Sequence, residues 1–464
     1  MIEQQKTIVF VGGSIISLMM ALYYKEQKQS KHRIVILEKA NEMGGLYRSI
    51  KYDKDIVFDY EVHIYTETNK PEIDNLFIDI LGENEWEYMC GGLRDVSGTY
   101  YNDKLQVHTP FVDLRSLDEA TKSKYLGDLF LQLKNGVDPK SYTNVKDFLL
   151  AKFGKALYEG VFRDIVQKHY HTDPANLDPM ATHVIPVGRV VIFDEAEVEG
   201  LMNATAIRPR IAFPDQFSLP PCYLRPGRLI YPKKFGMYKV IDALMDKLKA
   251  HGVEFYTNAN VEDIKLNGRD CQQLSFTHEG KKHTVDNIDN LYWNGGYPVL
   301  SKQLGLPVAN HKPEFIKSAF VNILLDKPPE VSSLYYLYCF KPGMHTFRVV
   351  NYFNYCPASV TKNGYPLCVS LWLHDYQGDP CKLALDELKA MKIISDEHKV
   401  NFIRAESTDR GFPNLTVDAI SHIDELRAQL LNENYSSIKV IGMLADKGHF
   451  YLTEALEHAF AQIN

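Results

Sequence analysis

The chain has 464 residues and a formal net charge of −7 at pH 7, with 45% hydrophobic and 24% charged residues; this profile is typical of an ordinary soluble globular protein and argues against a general nucleic-acid binder. No apolar run is long enough to span a bilayer, the N-terminus lacks the basic and long apolar regions of a signal peptide, and the seven cysteines include no C-x-x-C pair, which argues against a membrane span, a secreted disulfide framework and a metal site. We therefore expect a cytoplasmic protein of two or three domains, whose oligomeric state the sequence leaves open.

The first forty residues predict a βαβ unit. Residues 7–12 form an apolar run typical of a buried strand, and residues 14–27 have the periodicity of a helix. The segment HRIVILEKA is a second buried strand that ends at Glu38. A strand, a helix and a strand at this spacing indicate a parallel pair of strands.

The loop between the first strand and the helix resembles an altered dinucleotide fingerprint, G-x-G-x-x-G. Gly12 holds the first place, Ser14 the second and Ser17 the third. These places serve a tight turn, a close approach of pyrophosphate to the main chain, and close packing of the helix on the strand. Serine is small, Gly13 keeps the neighbouring backbone flexible, and the helix N-terminus still offers free N–H groups. The loop is therefore predicted to hold a dinucleotide.

Glu38 supports this prediction from the end of the second strand. A carboxylate in that place can accept hydrogen bonds from both ribose hydroxyls of an adenosine, and it argues against a 2′-phosphate. The alternative is that Gly12, Gly13 and Glu38 are only turn and surface residues of another α/β domain.

The remaining segments predict a larger α/β protein around this unit. Apolar periodicity, turn residues and β-branched or aromatic runs indicate the following elements in chain order: a helix at 70–81, a hairpin at 97–109 with Asn102-Asp103 at its turn, mainly helices at 113–172, an irregular segment at 205–232, a helix followed by two strands at 231–268, an antiparallel sheet at 315–375, a strand at 438–444 and a closing helix at 451–464.

Several further stretches are similar to one family. In chain order they are EKANEMGG, DYEVHIYT, YEGVFRDIVQKHYHTDPANLDPMATHVIPV, YPKKFGMYKVIDALMDKL with GVEFYTNANVEDI, TFRVVNYFNYCP and GMLADKGHFYLTEAL. They resemble segments of UDP-galactopyranose mutase and its relatives, within the wider amine-oxidase and protoporphyrinogen-oxidase group of FAD proteins. Each stretch is short, but together they follow the order of the family along nearly the whole chain.

The resemblance implies an α/β fold with a Rossmann-like FAD-binding domain, an inserted helical region and a mostly antiparallel β-sheet substrate domain. We expect residues 1–95, 230–300 and 405–464 to form the FAD-binding domain, 96–229 the helical insertion and 301–404 the substrate domain. The fingerprint and the resemblance together place the following residues at FAD: Gly12, Gly13, Ser14, Ser17, Glu38, Lys39, Gly44, Gly45, His63, Val261, Gly442 and Met443.

The resemblance also implies an activity: a redox-neutral mutase that acts on a nucleotide sugar in glycan biosynthesis, with reduced flavin as the nucleophile. The nucleoside diphosphate must stay bound while its sugar is detached, so a bidentate cation is needed. Arg348 is the first candidate for that cation and Arg189 the second, and His63 is expected beside the flavin ring. His63 and Arg348 are thus the candidate catalytic residues. The other substrate-side candidates are Tyr170, Asn354, Tyr355 and His449.

The chain departs from the family pattern at positions that matter for this activity. Five family residues are replaced or displaced: an arginine by Met443, a tyrosine by Phe412, an aspartate by Thr453, a substrate arginine by Gly188, and a glycine beside His63 by Glu61. Loss of an arginine removes a charge and a fork of donors that methionine cannot supply. Two alternatives therefore stay open: a flavin oxidoreductase of the amine-oxidase type, and a non-catalytic protein that keeps the fold.

Overall fold

The structure is a computed structural model that describes residues 5–309, 314–331 and 333–463. Its α-helices are α1 (Ile15–Glu26), α2 (Pro71–Leu81), α3 (Glu119–Leu131), α4 (Val145–Phe153), α5 (Lys155–Leu157), α6 (Arg163–Tyr170), α7 (Glu195–Leu201), α8 (Tyr238–Ala250), α9 (Tyr297–Gln303), α10 (Tyr352–Tyr355), α11 (Pro380–Ala390), α12 (Val417–Glu433) and α13 (Leu452–Ala461). Across the described residues, no helix combines the length and the apolar character that a bilayer span requires.

The strands follow the same chain order. They are β1 (Thr7–Val11), β2 (Arg33–Leu37), β3 (Ser49–Asp53), β4 (Ile56–Asp59), β5 (Tyr65–Thr66), β6 (Trp86–Met89), β7 (Ser97–Tyr101), β8 (Lys104–Gln106), β9 (Val112–Asp113), β10 (Val190–Val191), β11 (Leu229–Pro232), β12 (Glu254–Tyr256), β13 (Asn260–Asn267), β14 (Asp270–His278), β15 (Lys281–Asp286), β16 (Ile288–Trp293), β17 (Phe315–Leu325), β18 (Tyr336–Cys339), β19 (Thr346–Asn351), β20 (Tyr365–Trp372), β21 (Val400–Pro413) and β22 (Ile438–Val440).

The chain divides into two compact units. Unit 1 consists of the described residues within Met1–Glu87, Ile230–His311 and Ser421–Asn464. Unit 2 consists of the described residues within Tyr88–Leu229 and Lys312–Ile420. Most of the predicted helical insertion and of the predicted sheet region thus belongs to one unit. The division into three functional domains stays a prediction.

Unit 1 is built on a five-stranded parallel sheet in the order β12-β2-β1-β16-β22. The strands are short apolar runs because both faces of the sheet are covered, and Ile8, Val9 and Phe10 of β1 are completely buried. α1 connects β1 to β2 and lies against α8 and α13. The βαβ unit predicted from the first forty residues is therefore present, with the parallel pairing that it requires.

A second, three-stranded antiparallel sheet in unit 1 has the order β13-β14-β15. Leu274 and Phe276 of β14 share one buried cluster with Val9 of β1 and Leu291 of β16. The small sheet thus covers part of the parallel sheet and connects β12 to β16 along the chain.

Unit 2 contains a seven-stranded sheet in the order β21-β17-β20-β19-β18-β7-β8. Its pairs are antiparallel except for β18 with β7, which is parallel. The predicted hairpin is β7–β8, and Asn102 and Asp103 at its turn have φ of 47° and 59°. Asparagine and aspartate tolerate this left-handed conformation, which a two-residue turn of the type I′ geometry needs at both positions.

Candidate functional site

The candidate site lies at the carboxyl ends of the parallel strands in unit 1. β1 pairs with β2 on one side and with β16 on the other. The strand order therefore reverses at β1. In open α/β sheets, ligands bind in the crevice outside the carboxyl ends of the strands at such a switch point. The loops that follow β1, β2 and β16 should hold the ligand.

Gly12 makes the turn after β1. Its φ is +101°, and a Cβ added there would lie 3.0 Å from Cβ of Asn294, so both conformation and space require glycine. Ser14 has φ −70° and ψ 166°, an ordinary extended conformation. Serine in the second fingerprint place therefore leaves the turn intact.

Glu38 connects the loop after β1 to the loop after β2. Its Oε2 accepts a hydrogen bond from the backbone N–H of Gly13 at 2.7 Å, and its Oε1 accepts one from the N–H of Ala40 at 2.7 Å. Gly44 N–H donates to the carbonyl oxygen of Gly13 at 2.7 Å. A carboxylate has about four lone-pair positions, so Glu38 can still accept ribose hydroxyls while its orientation is fixed.

Gly13 and Gly44 are both confined by packed side chains. A Cβ on Gly13 would lie 2.2 Å from Sδ of Met43, and a Cβ on Gly44, whose φ is +105°, would lie 2.9 Å from the side chain of Ile241. Gly45 has φ +58° and is exposed, as is Lys39. Gly44 thus allows close packing against α8, whereas Gly45 is required only by its left-handed conformation.

The N-terminus of α1 is free to bind an anion. Ser14 is the N-cap residue, its side chain makes no capping hydrogen bond, and the first turn contains no acidic residue. The Ser14 hydroxyl accepts a hydrogen bond from Nδ2 of Asn294 instead. The N–H groups of the first helical turn, with the helix dipole, therefore form the kind of site that binds phosphate groups.

The remaining cofactor candidates of unit 1 are Ser17, Val261, Gly442 and Met443, and their surroundings differ. Gly442 has φ +99°, and a Cβ there would lie 2.1 Å from Oδ1 of Asn294. Ser17 is completely buried, and its hydroxyl has no hydrogen-bond partner among the described residues. The carbonyl oxygen of Val261 accepts a hydrogen bond from Nε2 of Gln303 at 3.1 Å, and Met443 is 49% exposed. Contact of these residues with a cofactor stays a prediction.

The segment that carries His63 is anchored by a buried carboxylate. Asp59 accepts hydrogen bonds from the hydroxyls of Tyr231 at 2.5 Å and Ser49 at 2.7 Å, and burial raises its pKa. Glu61 has φ +63°, a left-handed conformation that explains why glycine suits this place. The His63 ring lies edge-on to Tyr47 with centroids 5.3 Å apart.

Arg348 belongs to β19 of unit 2 and is surrounded by aromatic rings. Its guanidinium carbon lies 5.5 Å from the ring centroid of Tyr336, 5.5 Å from that of Tyr338 and 5.3 Å from that of Phe347. Nη1 donates to the Tyr338 hydroxyl at 3.3 Å. The hydroxyl of Tyr336 donates to Asp95, and burial raises the pKa of Tyr336 well above its usual range.

Three other substrate-side candidates of unit 2 have partners inside the protein. The Tyr170 hydroxyl donates to the carbonyl oxygen of Ala181 at 2.8 Å, and Asn354 Nδ2 donates to that of Leu334 at 2.6 Å. Tyr355 is 3% exposed. These contacts are those of core residues, so a substrate-binding role for them stays a prediction. His449 lies in unit 1, where its Nε2 is 4.0 Å from Oδ2 of Asp446.

Arg189 lies in a partly open pocket of unit 2 with a cavity volume of about 90 Å³. Its guanidinium lies over the ring of Tyr223 at 5.3 Å. Burial lowers the pKa of Arg189, and the positive charges of Arg225 and Arg208 lower it further. Arg189, one residue after the place of the family's substrate arginine, is therefore close to other cations.

Lys152 is buried close to this cationic group. It is 7% exposed, and Nζ lies over the rings of Phe148 and Phe153 at 5.3 and 5.4 Å. Burial, followed by repulsion from Arg189 and Arg210, lowers its pKa from 10.5 to about 7. The folded protein therefore holds this amine partly neutral at pH 7, whereas the unfolded chain keeps it charged.

This pKa predicts a pH-dependent stability. Between pH 7 and 10.5 the unfolded chain binds more protons at Lys152 than the folded protein does, so the cost of burying the amine diminishes as the pH rises. The free energy of unfolding of Lys152→Met should exceed that of the wild type at pH 7, and the difference should shrink at pH 9.5. Urea unfolding at both pH values measures it. Lys146→Met, an exposed position on the same helix, is the matched control, and an equal difference at both pH values would contradict the prediction.

Asn294 and Met43 are site residues that the sequence analysis did not identify. Asn294 follows β16, contacts Ser14 and lies beside Gly12 and Gly442. Asn294 could have been found from the apolar run LYW followed by NGG, because this pattern is typical of a strand that ends at the same edge of the sheet. Met43 has no comparable signal because its contact with Gly13 depends on how two loops meet.

The comparisons with known proteins agree with this architecture. Residues 11–79 match the family model of the NAD(P)-binding Rossmann-like domain. Reduced UDP-galactopyranose mutase has a similar structure, with 14% identity, a TM-score of 0.71, and coverage of 99% of this chain and 92% of that chain. No curated protein matches the chain at a significant level.

Two further solved structures have similar coverage. A putative protoporphyrinogen oxidase from Exiguobacterium sp. 255-15 has 15% identity and a TM-score of 0.65, over 99% of this chain and 98% of that chain. An oxidoreductase from Methanosarcina mazei has 12% identity and a TM-score of 0.60, over 98% and 99%. At these identities the likeness establishes the fold. The predicted class, an α/β protein with a Rossmann-like domain and an antiparallel sheet, is confirmed.

Proposed function

We propose that the protein is a flavoenzyme that binds FAD at the carboxyl ends of β1, β2 and β16 and acts on a small molecule, with a nucleotide sugar as the substrate. The observation that carries the proposal is the hydrogen-bonded arrangement of Gly13, Glu38 and Gly44 beside the N-terminus of α1. The resemblance of the sequence to flavoproteins favours FAD over a nicotinamide cofactor.

The residues at the switch point fit an adenine dinucleotide. The first turn of α1 would hold the pyrophosphate through backbone N–H groups, because no side chain caps it. Glu38 would accept the ribose hydroxyls, and its two existing hydrogen bonds hold the carboxylate in place before the ligand arrives. Gly12 and Gly13 let Asn294 and Met43 pack closely against the loop after β1.

The finer assignment concerns the substrate. When bound, reduced flavin supplies a nucleophile for a mutase and oxidised flavin supplies a hydride acceptor for an oxidoreductase. In the mutase hypothesis Arg348 would bind the substrate diphosphate, since a guanidinium can donate two parallel hydrogen bonds to it. His63 would flank the reacting ring from the segment that Asp59 anchors.

An amine-oxidase-type oxidoreductase is the second candidate, because two of the similar structures are a putative protoporphyrinogen oxidase and an oxidoreductase. Glu61 is a departure that speaks against the mutase. The carboxylate lies two residues before His63, and a nearby negative charge disfavours an anionic reduced flavin. Conversion of UDP-galactopyranose only after dithionite reduction would support the mutase. Anaerobic bleaching of the flavin by a substrate would support the oxidoreductase.

The visible spectrum of the purified protein during titration with FAD tests the common part of the proposal. We expect flavin absorbance that co-purifies or is acquired on titration, and Glu38→Gln should lower the affinity for FAD about tenfold, since a hydrogen bond to a charged group contributes about 1.5 kcal/mol or more. Glu42→Gln, at an exposed position of the same loop, is the control. A protein that stays colourless with excess FAD would contradict both enzyme assignments and support the non-catalytic alternative.

A further inference from the structure

The pocket around Arg189 in unit 2 combines unpaired cations with an apolar lining. Its charged lining residues are Arg94, Asp95, Arg189 and Arg225. Asp95 accepts a hydrogen bond from the hydroxyl of Tyr336, and Nε of Arg94 donates to the carbonyl oxygen of Gly227 at 2.8 Å. Asp95 and Arg94 therefore already have partners in the protein.

Arg189 has donors without acceptors. Its guanidinium stacks on Tyr223 but makes no hydrogen bond or ion pair with any residue that the structure describes. Its nitrogens are not among the fully buried polar atoms without a partner, so they can donate to a ligand in the pocket. Such a group is expected where a ligand supplies the missing acceptors.

Asp95 lines the same pocket as Arg189, but the two form no ion pair among the described residues. Arg225 is exposed, Arg208 is half-buried, and neither forms an ion pair within the described part of the chain. The amine of Lys152, which is partly neutral at pH 7, also lies close to Arg189 and has aromatic rings as its neighbours. Arg225 and Arg208 repel the charge of Arg189, and an anion in the pocket would reduce this repulsion.

The remaining walls of the pocket are mostly apolar or aromatic. They include Phe111, Phe213, Leu219 and Tyr223. Two neighbouring loops also expose apolar side chains, Leu93 at 59% and Phe217 at 44%, and these loops meet where a Cβ on Gly92 would lie 3.4 Å from the carbonyl oxygen of Gln216. The apolar and aromatic lining suits a ligand with an apolar part.

We infer that this pocket binds a small anionic amphiphile, a molecule with a carboxylate or phosphate group held by Arg189 and Arg225 and an aliphatic or aromatic body lying against Phe111, Phe213 and Leu219. Arginine suits both head groups because its planar fork donates two hydrogen bonds to either. This inference goes beyond the proposed function and does not depend on flavin binding.

Isothermal titration calorimetry of the full chain with dodecanoate and with dodecyl phosphate, both below their micelle concentrations, tests the inference. We expect binding of at least one of the two, and at least tenfold weaker binding of neutral dodecanol. Arg189→Gln and Arg225→Gln should each lower the affinity at least tenfold. Acetate and inorganic phosphate should bind at least tenfold more weakly than the dodecyl ligands because they lack the apolar body.

The controls separate binding from folding and from the proposed cofactor site. Arg404→Gln, at an exposed position of unit 2, should leave the affinity within twofold. Arg189→Gln should not lower the melting temperature, because it removes an unpaired cation. A Ser14→Asp variant should retain dodecanoate binding even if it loses FAD. Absence of binding by both dodecyl ligands, equal binding of dodecanol, or unchanged affinity in both arginine variants would overturn the inference.

Discussion

Replacement of Ser14 with aspartate should lower the affinity for FAD at least about 100-fold, or ~2.7 kcal/mol, while the protein stays folded. The new carboxylate would lie at the N-cap of α1, where the pyrophosphate is expected to bind. Repulsion between the two anions, and competition for the same N–H groups, cause the loss. Titration with FAD, followed by absorbance or calorimetry, measures the effect.

The same substitution separates binding from stability. Aspartate is among the best N-cap residues and interacts favourably with the helix dipole, so the variant should be as stable as the wild type or more stable by up to about 1 kcal/mol. Asn144→Asp, at the N-cap of α4 in unit 2, is the matched control and should leave the affinity for FAD unchanged. Undiminished affinity in Ser14→Asp would show that the pyrophosphate does not bind at α1.

Replacement of Arg210 with methionine should destabilise the protein by about 4 kcal/mol. Arg210 is 1% exposed, and its guanidinium donates to four backbone carbonyl oxygens: those of Lys152 at 2.7 Å, Ala206 at 2.6 Å, Gln132 at 3.0 Å and Asn135 at 2.8 Å. Methionine fills part of the volume but leaves these acceptors unsatisfied, each at a cost of about 1–3 kcal/mol before relaxation.

Urea unfolding of Arg210→Met against the wild type measures this loss. Arg163→Met changes an arginine on the surface of unit 2, where Nε donates to the neighbouring Asp164 at 2.9 Å, and should alter the free energy of unfolding by less than about 0.5 kcal/mol. A loss below 1 kcal/mol in Arg210→Met would mean that water reaches the four carbonyl oxygens and replaces the guanidinium.

The sequence predicted the parts of the fold that depend on local pattern. The apolar runs of β1 and β2, the intervening helix and the turn at Gly12 follow from periodicity and from the backbone freedom of glycine. The hairpin at Asn102-Asp103 follows from turn residues that tolerate a left-handed backbone. Of the three fingerprint positions, only Gly12 has a positive φ. Serine is therefore tolerated at the other two positions, and the fingerprint can be recognised in the sequence despite these substitutions.

The tertiary structure decided which distant residues meet. Asn294 reaches Ser14 and Gly442 only because β16 pairs with β1 and β22 in one sheet. Arg189 was a displaced family arginine in the sequence, and only the fold shows it beside Arg225 without an acidic partner.

By itself, therefore, the sequence determined the βαβ unit, the turn and the acidic residue that point to a dinucleotide, because each depends on neighbours along the chain. Only the tertiary structure showed that Asn294 contacts the loop after β1 and that Arg189 lies near Arg225 in unit 2. Contacts between residues far apart in sequence depend on strand order and loop packing, and no local period or turn preference records them.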